Sequence, residues 1–90
     1  MNEQTLESGM IVRSKAGRDS GRAFAVVEVL DADYVLIADG SLRTLARPKK
    51  KKRRHLKKGC DARMKFNGHL LDADVRKFLT AQGYEIDRKQ

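Results

Sequence analysis

The sequence predicts a small, mainly β domain of four to five strands, followed by a short C-terminal α-helix. Short apolar stretches separated by turn signals run through the first sixty residues, which favours a small barrel or a sandwich. After Gly59 the apolar spacing changes to that of a helix face. The chain has 90 residues, so one domain is expected, with the barrel and a basic extension at residues 8–58 and a helical segment at residues 59–90.

Four strands are predicted ahead of the lysine-rich stretch. Residues 9–13, GMIVR, form the first. Residues 22–30, RAFAVVEVL, are apolar on both faces, which is typical of a central strand. Residues 34–38, YVLIA, form the third, and an Asp-Gly turn signal at 39–40 leads to a half-buried fourth over residues 41–46, SLRTLA.

The positive charge of the chain is concentrated in one block. Lys and Arg number 20 against 12 Asp and Glu, a net charge of +8, yet residues 47–58, RPKKKKRRHLKK, contain no acid. Such a block attracts polyanions, because each neutralised phosphate releases counterions; a membrane surface or an acidic protein could use the same charge. Like charges repel, so a strand through the whole block is disfavoured, and residues 53–59 form a fifth strand or stay flexible.

The last third of the chain is predicted to contain one helix. Residues 60–69 are irregular, and residues 73–82 then form the helix, with Asp72 as its N-cap and Gly83 as its terminator. Its apolar face consists of Leu71, Val75, Phe78 and Leu79.

No catalytic site, metal or cofactor is predicted, so we do not expect an enzyme. His55 and His69 lack the paired ligand spacing of a zinc site, and the glycine loop lacks the ending of a nucleotide-binding P-loop. The single cysteine, Cys60, favours a reducing compartment. The N-terminus has no signal-peptide pattern and no apolar run suits a membrane helix, so a cytoplasmic protein is expected.

Two glycines, Gly17 and Gly21, bracket the loop between the first two strands. Glycine takes a positive φ without a Cβ penalty and lets backbone N–H groups approach a phosphate. Four cations flank this loop: Arg13, Lys15, Arg18 and Arg22. These features suit a loop that contacts phosphate. The alternative is a tight hairpin whose cations are only solvated.

The stretch GMIVRSKAGRDSGRAFAVVEVL, residues 9–30, resembles the KOW motif. That motif joins two short apolar strands through a loop with a G-x-D-x-G core, matched here by Gly17, Asp19 and Gly21. Where the family often has a further glycine, this chain has Phe24. The resemblance extends over roughly residues 8–56. Over this range the sequence is similar to archaeal and eukaryotic large-subunit ribosomal proteins and to small bacterial KOW-domain proteins.

The resemblance implies an SH3-like barrel that binds RNA, since the glycine loop of the family commonly contacts RNA or a ribosomal partner. We expect structured ribosomal RNA as the partner, ribosomal proteins as further contacts, no membrane, and a monomer when free. The residues expected at the RNA are Arg13, Lys15, Gly17, Arg18, Gly21, Arg22, Arg47, Lys49, Lys50, Lys51, Lys52, Arg53, Arg54, Lys57 and Lys58. The alternatives are a protein-interaction module that docks on an acidic partner of the translation or transcription machinery, and a DNA-binding protein.

The aromatic residues favour recognition of backbone and shape over base-specific readout. They are Phe24, Tyr34, Phe66, Phe78 and Tyr84. Phe24 and Phe78 fall at core periodicity, and only Tyr34, at the start of its strand, is left open as an exposed ring for base stacking.

Overall fold

The structure is a computed structural model that describes residues 6–15, 17, 20–65 and 69–84. Its elements are β1 (Met10–Ser14), β2 (Ala23–Val29), β3 (Tyr34–Ala38), β4 (Lys49–Lys52), a 3₁₀ turn (Arg53–His55), β5 (Leu56–Arg63) and α1 (Asp72–Ala81). The strands form one antiparallel sheet in the order β4-β3-β2-β1-β5. The predicted mainly β fold with a C-terminal helix is confirmed. The sheet is barrel-like but not closed, because β4 and β5 are its two edges.

The two faces of the sheet bury side chains of different size. On what we call the inner face, large residues form one cluster: Leu6, Met10, Val12, Phe24, Val26, Val35, Ile37 and Leu56. On the opposite helix face, Ile11, Ala23 and Ala25 pack against Val75 and Leu79 of α1. The small alanines let the helix lie close to the sheet. Strand β2 therefore presents large side chains to the inner face and small side chains to the helix face.

Strand β2 has the central position predicted for it. Phe24, Ala25 and Val26 are fully buried, as expected for a strand covered on both faces. The register with β3 shifts between Val26 and Glu28, and beyond this bulge Val29 is 37% exposed. The two-sided burial predicted for the whole of β2 is therefore wrong for its last residues.

The strand predicted over residues 41–46 is absent from the described structure, and this prediction was wrong. The Asp39 carboxylate accepts hydrogen bonds from the N–H groups of Ser41 and Arg43, both at 2.9 Å, and the N–H of Gly40 donates to the carbonyl of Arg43 at 3.0 Å. Side-chain bonds of this kind compete with a strand ladder for the backbone donors. The segment turns instead, which leaves the edge of β3 to another partner.

That partner is the lysine-rich segment, contrary to the expectation that repulsion would keep it out of a strand. Residues Lys49–Lys52 form β4 and pair with β3 in antiparallel register. Strand β5 then runs to Arg63, through the boundary predicted between residues 58 and 59 and into the stretch predicted to be irregular. The basic block is thus built into the sheet rather than appended to it.

The helix begins one residue earlier than predicted and is capped differently. Leu71, not Asp72, is the N-cap residue, and its N–H donates to the Asp74 carboxylate at 2.9 Å. The Asp72 carboxylate instead accepts the N–H of Leu45 at 2.7 Å, which ties the turn after β3 to α1. Leu71 is 64% exposed, so the buried face of α1 consists of Val75, Leu79 and part of Phe78. No helix in the described ranges is long and apolar enough to cross a membrane.

Candidate nucleic-acid interface

Strand β4 directs its four lysines alternately to two sides of the sheet. Its register pairs Lys51 with Val35 and Lys49 with Ile37, so these two lysines share the inner face with large apolar residues. Lys50 pairs with Leu36, and Lys52 pairs with Tyr34, on the opposite side. Because successive side chains in a strand point to opposite faces, four identical residues have two environments.

Lys51 is buried, with only 8% of its surface exposed, and it points toward the glycine loop. A Cβ atom placed on Gly17 would lie 3.5 Å from the Lys51 Nζ atom. The ammonium group therefore lies against the loop rather than in solvent. Among the predicted RNA contacts that the structure describes, Lys51 is the least exposed.

The glycine loop has the backbone that its residues predict. Gly17 has a φ of 78° and Gly21 a φ of 86°, the left-handed region that disfavours side chains. The loop is closed by the N–H of Gly21, which donates to the Ser14 carbonyl at 2.8 Å, and by the N–H of Ser20, which donates to Gly17 at 3.2 Å. Residues 16, 18 and 19 lie outside the described residues, and with them the predicted contact Arg18 and the motif residue Asp19.

The loop is joined to the basic block by one backbone hydrogen bond. The N–H of Lys15 donates to the carbonyl of His55 at 2.7 Å, which brings the start of the loop against the 3₁₀ turn. These two segments are forty residues apart in the sequence. The bond therefore places a cation of the loop beside the cations that precede and form the turn.

The cations around this turn form what we call the basic corner. Its members are Lys15, Lys50, Lys52, Arg53 and Arg54. Partial burial, followed by the charges of nearby cations, lowers the pKa of His55 below its usual value, and those cations are Arg54, Lys51, Lys52 and Lys15. Positive charges from the loop, β4 and the turn therefore all lie near the His55 imidazole.

Hydrogen bonds hold the basic corner against the turn between β2 and β3. The N–H of Arg53 donates to the Asp33 carbonyl at 2.8 Å, and its Nε–H donates to the Asp31 carbonyl at 3.2 Å. The Asp31 carboxylate accepts the N–H groups of Asp33 and Tyr34, both at 2.8 Å. These backbone bonds, and then the charges of Lys50 and Arg53, lower the pKa of Asp31.

A cavity of about 260 Å³ opens between this turn and the basic corner. Its lining consists of Ala32, Asp33, Tyr34, Lys52, Arg53 and Arg54. The Nζ atoms of Lys50 and Lys52 lie 4.5 Å and 6.0 Å from the centroid of the Tyr34 ring. Tyr34 is half-buried, and its ring lies among cations beside the edge strand β4.

The other end of the glycine loop contributes to a separate cavity of about 380 Å³. Its lining consists of Arg13, Gly21, Arg22, Ala23, Asp39, Gly83 and Tyr84. The Arg13 guanidinium lies 4.9 Å from the Tyr84 ring centroid and donates to the Gly21 carbonyl at 2.7 Å, so it is engaged within the fold. Burial, followed by the neighbouring Cys60 thiol, raises the pKa of Tyr84.

The remaining predicted contacts are spread along the chain. Lys57 is exposed and pairs with Arg13 across β1 and β5. Lys58 forms an ion pair with Asp61 at 2.7 Å, an exposed pair of a kind that contributes little to stability. Arg47 is exposed, and its N–H donates to the Thr44 carbonyl at 3.1 Å. The structure therefore gathers only part of the predicted set at the basic corner.

Sequence reasoning did not identify the turn between β2 and β3 as part of this surface. The carbonyl groups of Asp31 and Asp33 accept hydrogen bonds from Arg53, and Asp33 also lines the cavity. The Asp-Ala-Asp-Tyr sequence is a signal for an aspartate-stabilised turn, but its partner depends on the pairing of β3 with β4.

No model of a known protein family matches the chain, and a search of curated proteins found no significant match. The resemblance to the KOW motif therefore stays a prediction. Among the residues that the structure describes, no group of three or more His, Cys, Asp or Glu side chains is placed to hold a metal ion.

Proposed function

We propose that this protein binds structured RNA, ribosomal RNA in particular, through the basic corner and the adjoining glycine loop. In this proposal it acts in the cytoplasm by binding alone, without catalysis, as a ribosome-associated or ribosomal protein. The observation that carries the proposal is the 2.7 Å hydrogen bond from Lys15 to His55. It unites cations from two distant segments of the chain in one surface.

The fixed backbone of the basic corner supports a folded RNA over a flexible polyanion. Lys52 is held by β4, and Arg53 is hydrogen-bonded to the turn between β2 and β3. A fixed backbone can face phosphates that are also held in place without further ordering of the chain on binding. A folded RNA offers such phosphates, and contacts to them position a protein without reading sequence.

The test compares two pairs of exposed cations that change the net charge equally. Lys50→Gln with Arg54→Gln removes two charges from the basic corner, and Lys65→Gln with Lys77→Gln removes two from elsewhere. We expect the first pair to weaken binding of a labelled RNA hairpin about tenfold and to reduce the slope of log affinity against log salt by about 1.5. The control pair should change affinity by less than about twofold, since long-range charge effects are screened.

Three other results would contradict the proposal. Equal weakening by both pairs means that net charge alone attracts the RNA. Tighter binding to duplex DNA with the same number of phosphates favours a DNA-binding protein. Failure to bind RNA, together with firm binding to polyglutamate, favours the protein-interaction module.

A further inference from the structure

We infer that the cavity beside the basic corner is a subsite for one unpaired RNA base, which stacks on Tyr34 while its flanking phosphates meet Lys52, Arg53 and Arg54. This inference rests on the proposed RNA binding and goes beyond it, since it adds recognition of a single-stranded nucleotide to recognition of the backbone. The cavity combines an aromatic ring with three cations and one carboxylate.

The composition of the cavity suits a nucleotide. Base stacking on an aromatic side chain is tolerant of sequence, and cations along the same groove bind the phosphates. Tyr34 supplies the ring, and Lys52, Arg53 and Arg54 supply the charge on the same lining. At about 260 Å³ the cavity is smaller than the roughly 300–1,000 Å³ of typical ligand sites, which fits one planar base and not a longer segment.

The walls of the cavity are held by hydrogen bonds that do not involve the Tyr34 ring. The Asp31 carboxylate accepts the N–H of Tyr34, and the N–H of Arg53 donates to Asp33, both at 2.8 Å. The pairing of Tyr34 with Lys52 fixes the two strands that meet there. The backbone of the site is therefore fixed before a ligand arrives. A base that stacks on Tyr34 must move the Lys50 ammonium group, which lies 4.5 Å from the ring centroid, away from the ring.

A base that is paired in a duplex cannot enter this cavity, because its faces are covered by neighbouring bases. Bases in loops and bulges are available for stacking on protein side chains. The inference therefore predicts a preference for an RNA hairpin with an unpaired loop over a blunt RNA duplex with the same number of phosphates.

The test measures affinity of Tyr34→Leu and Tyr34→Phe for these two RNAs. Leucine fills the strand position without an aromatic face, and phenylalanine keeps the face without the hydroxyl. We expect Tyr34→Leu to weaken hairpin binding roughly 5- to 100-fold, as loss of one stacked base predicts, with little change for the duplex. Tyr34→Phe should bind both RNAs as the wild type does.

A second measurement does not depend on the stability of the leucine variant. The chain has two tyrosines and no tryptophan, so Tyr84→Phe leaves Tyr34 as the only tyrosine emitter. The hairpin should quench the Tyr34 emission of this variant, and the duplex should not. Absence of quenching by bound hairpin overturns the inference even if Tyr34→Leu fails to fold.

The outcomes separate this inference from the proposed function. If the wild type binds both RNAs and Tyr34→Leu changes neither, the corner binds phosphates alone and only the base subsite is refuted. If Tyr34→Leu weakens both equally, Tyr34 shapes the corner and receives no base. If the wild type binds neither RNA, both proposals fail.

Discussion

The two sides of β4 differ in what the same amino acid does. Lys51 lies on the inner face, 8% exposed, with its ammonium group under the glycine loop. Lys50 and Lys52 lie on the opposite side, beside the Tyr34 ring. Antiparallel pairing with β3, and not composition, therefore decides which charges of this basic run can meet a partner.

Charge reversal on the inner side is expected to have the largest effect. Lys51→Glu puts a carboxylate in a buried position beside large apolar residues, and burial of a charge in such surroundings should lower the free energy of unfolding by about 3 kcal/mol. Lys50→Glu, one residue away and exposed, is the matched control and should lower it by no more than about 0.5 kcal/mol. Thermal melting of the two variants measures the difference. Equal losses would mean that the two sides of β4 are equivalent in solution.

In the glycine loop beside Lys51, substitutions should lower the free energy of unfolding because of the backbone conformation that the glycines adopt. A Cβ on Gly21 would meet no atom within 4 Å, so Gly21→Ala adds no clash and only the strain of a positive φ. We expect a loss of about 1 kcal/mol in chemical denaturation. Gly21→Asn, which tolerates this conformation better, should recover part of the loss. A stable alanine variant would show that the loop does not need the left-handed conformation.

The salt dependence of RNA binding distinguishes the two sides by function. Lys52→Gln removes a cation of the basic corner and should reduce the slope of log affinity against log salt by about 0.7–0.9. Lys51→Gln should leave the slope unchanged at a temperature where the variant is folded, because its ammonium group is buried. If both variants reduce the slope alike, Lys51 contacts phosphate and the inner side is not closed to RNA.

The smallest expected effect is the titration of His55. Partial burial and then the nearby cations lower its pKa, so the folded chain resists protonation more than the unfolded chain does. This group therefore reduces stability as the pH falls from the unfolded value of about 6.5 toward the lower pKa of the folded state. NMR titration should show the pKa of His55 rising in Arg54→Gln and on RNA binding, and unchanged in Lys65→Gln. If the pKa of His55 is the same in Arg54→Gln as in the wild type, the charge of Arg54 does not act on His55.

The first three strands were predictable because their residues leave few choices. β-Branched runs bounded by glycine and aspartate predicted the observed limits of β3 and placed every end of β1 and β2 within one residue. The errors came from side chains with more than one partner. The Asp39 carboxylate accepts backbone hydrogen bonds that make the predicted fourth strand a turn. The Asp72 carboxylate accepts the N–H of Leu45 instead of capping the helix.

The candidate site was predictable in composition but not in arrangement. A run of lysines has no periodicity, so the burial of Lys51 and the placement of Lys50 and Lys52 beside Tyr34 depend on the register of β4 with β3. Repulsion between the lysines does not keep the segment out of the sheet, because its backbone pairs with the edge of β3. The contact between Lys15 and His55 spans distant parts of the chain, and local sequence contains no signal for it.

Strand β4 is an edge of the sheet, and this has a consequence for self-association. An exposed edge is an open template on which the strand of another molecule can add, the first step toward fibrils. Here a second copy that aligned its own β4 on this edge would bring two rows of ammonium groups together, which their mutual repulsion opposes. The same lysines thus disfavour the pairing of two copies along β4.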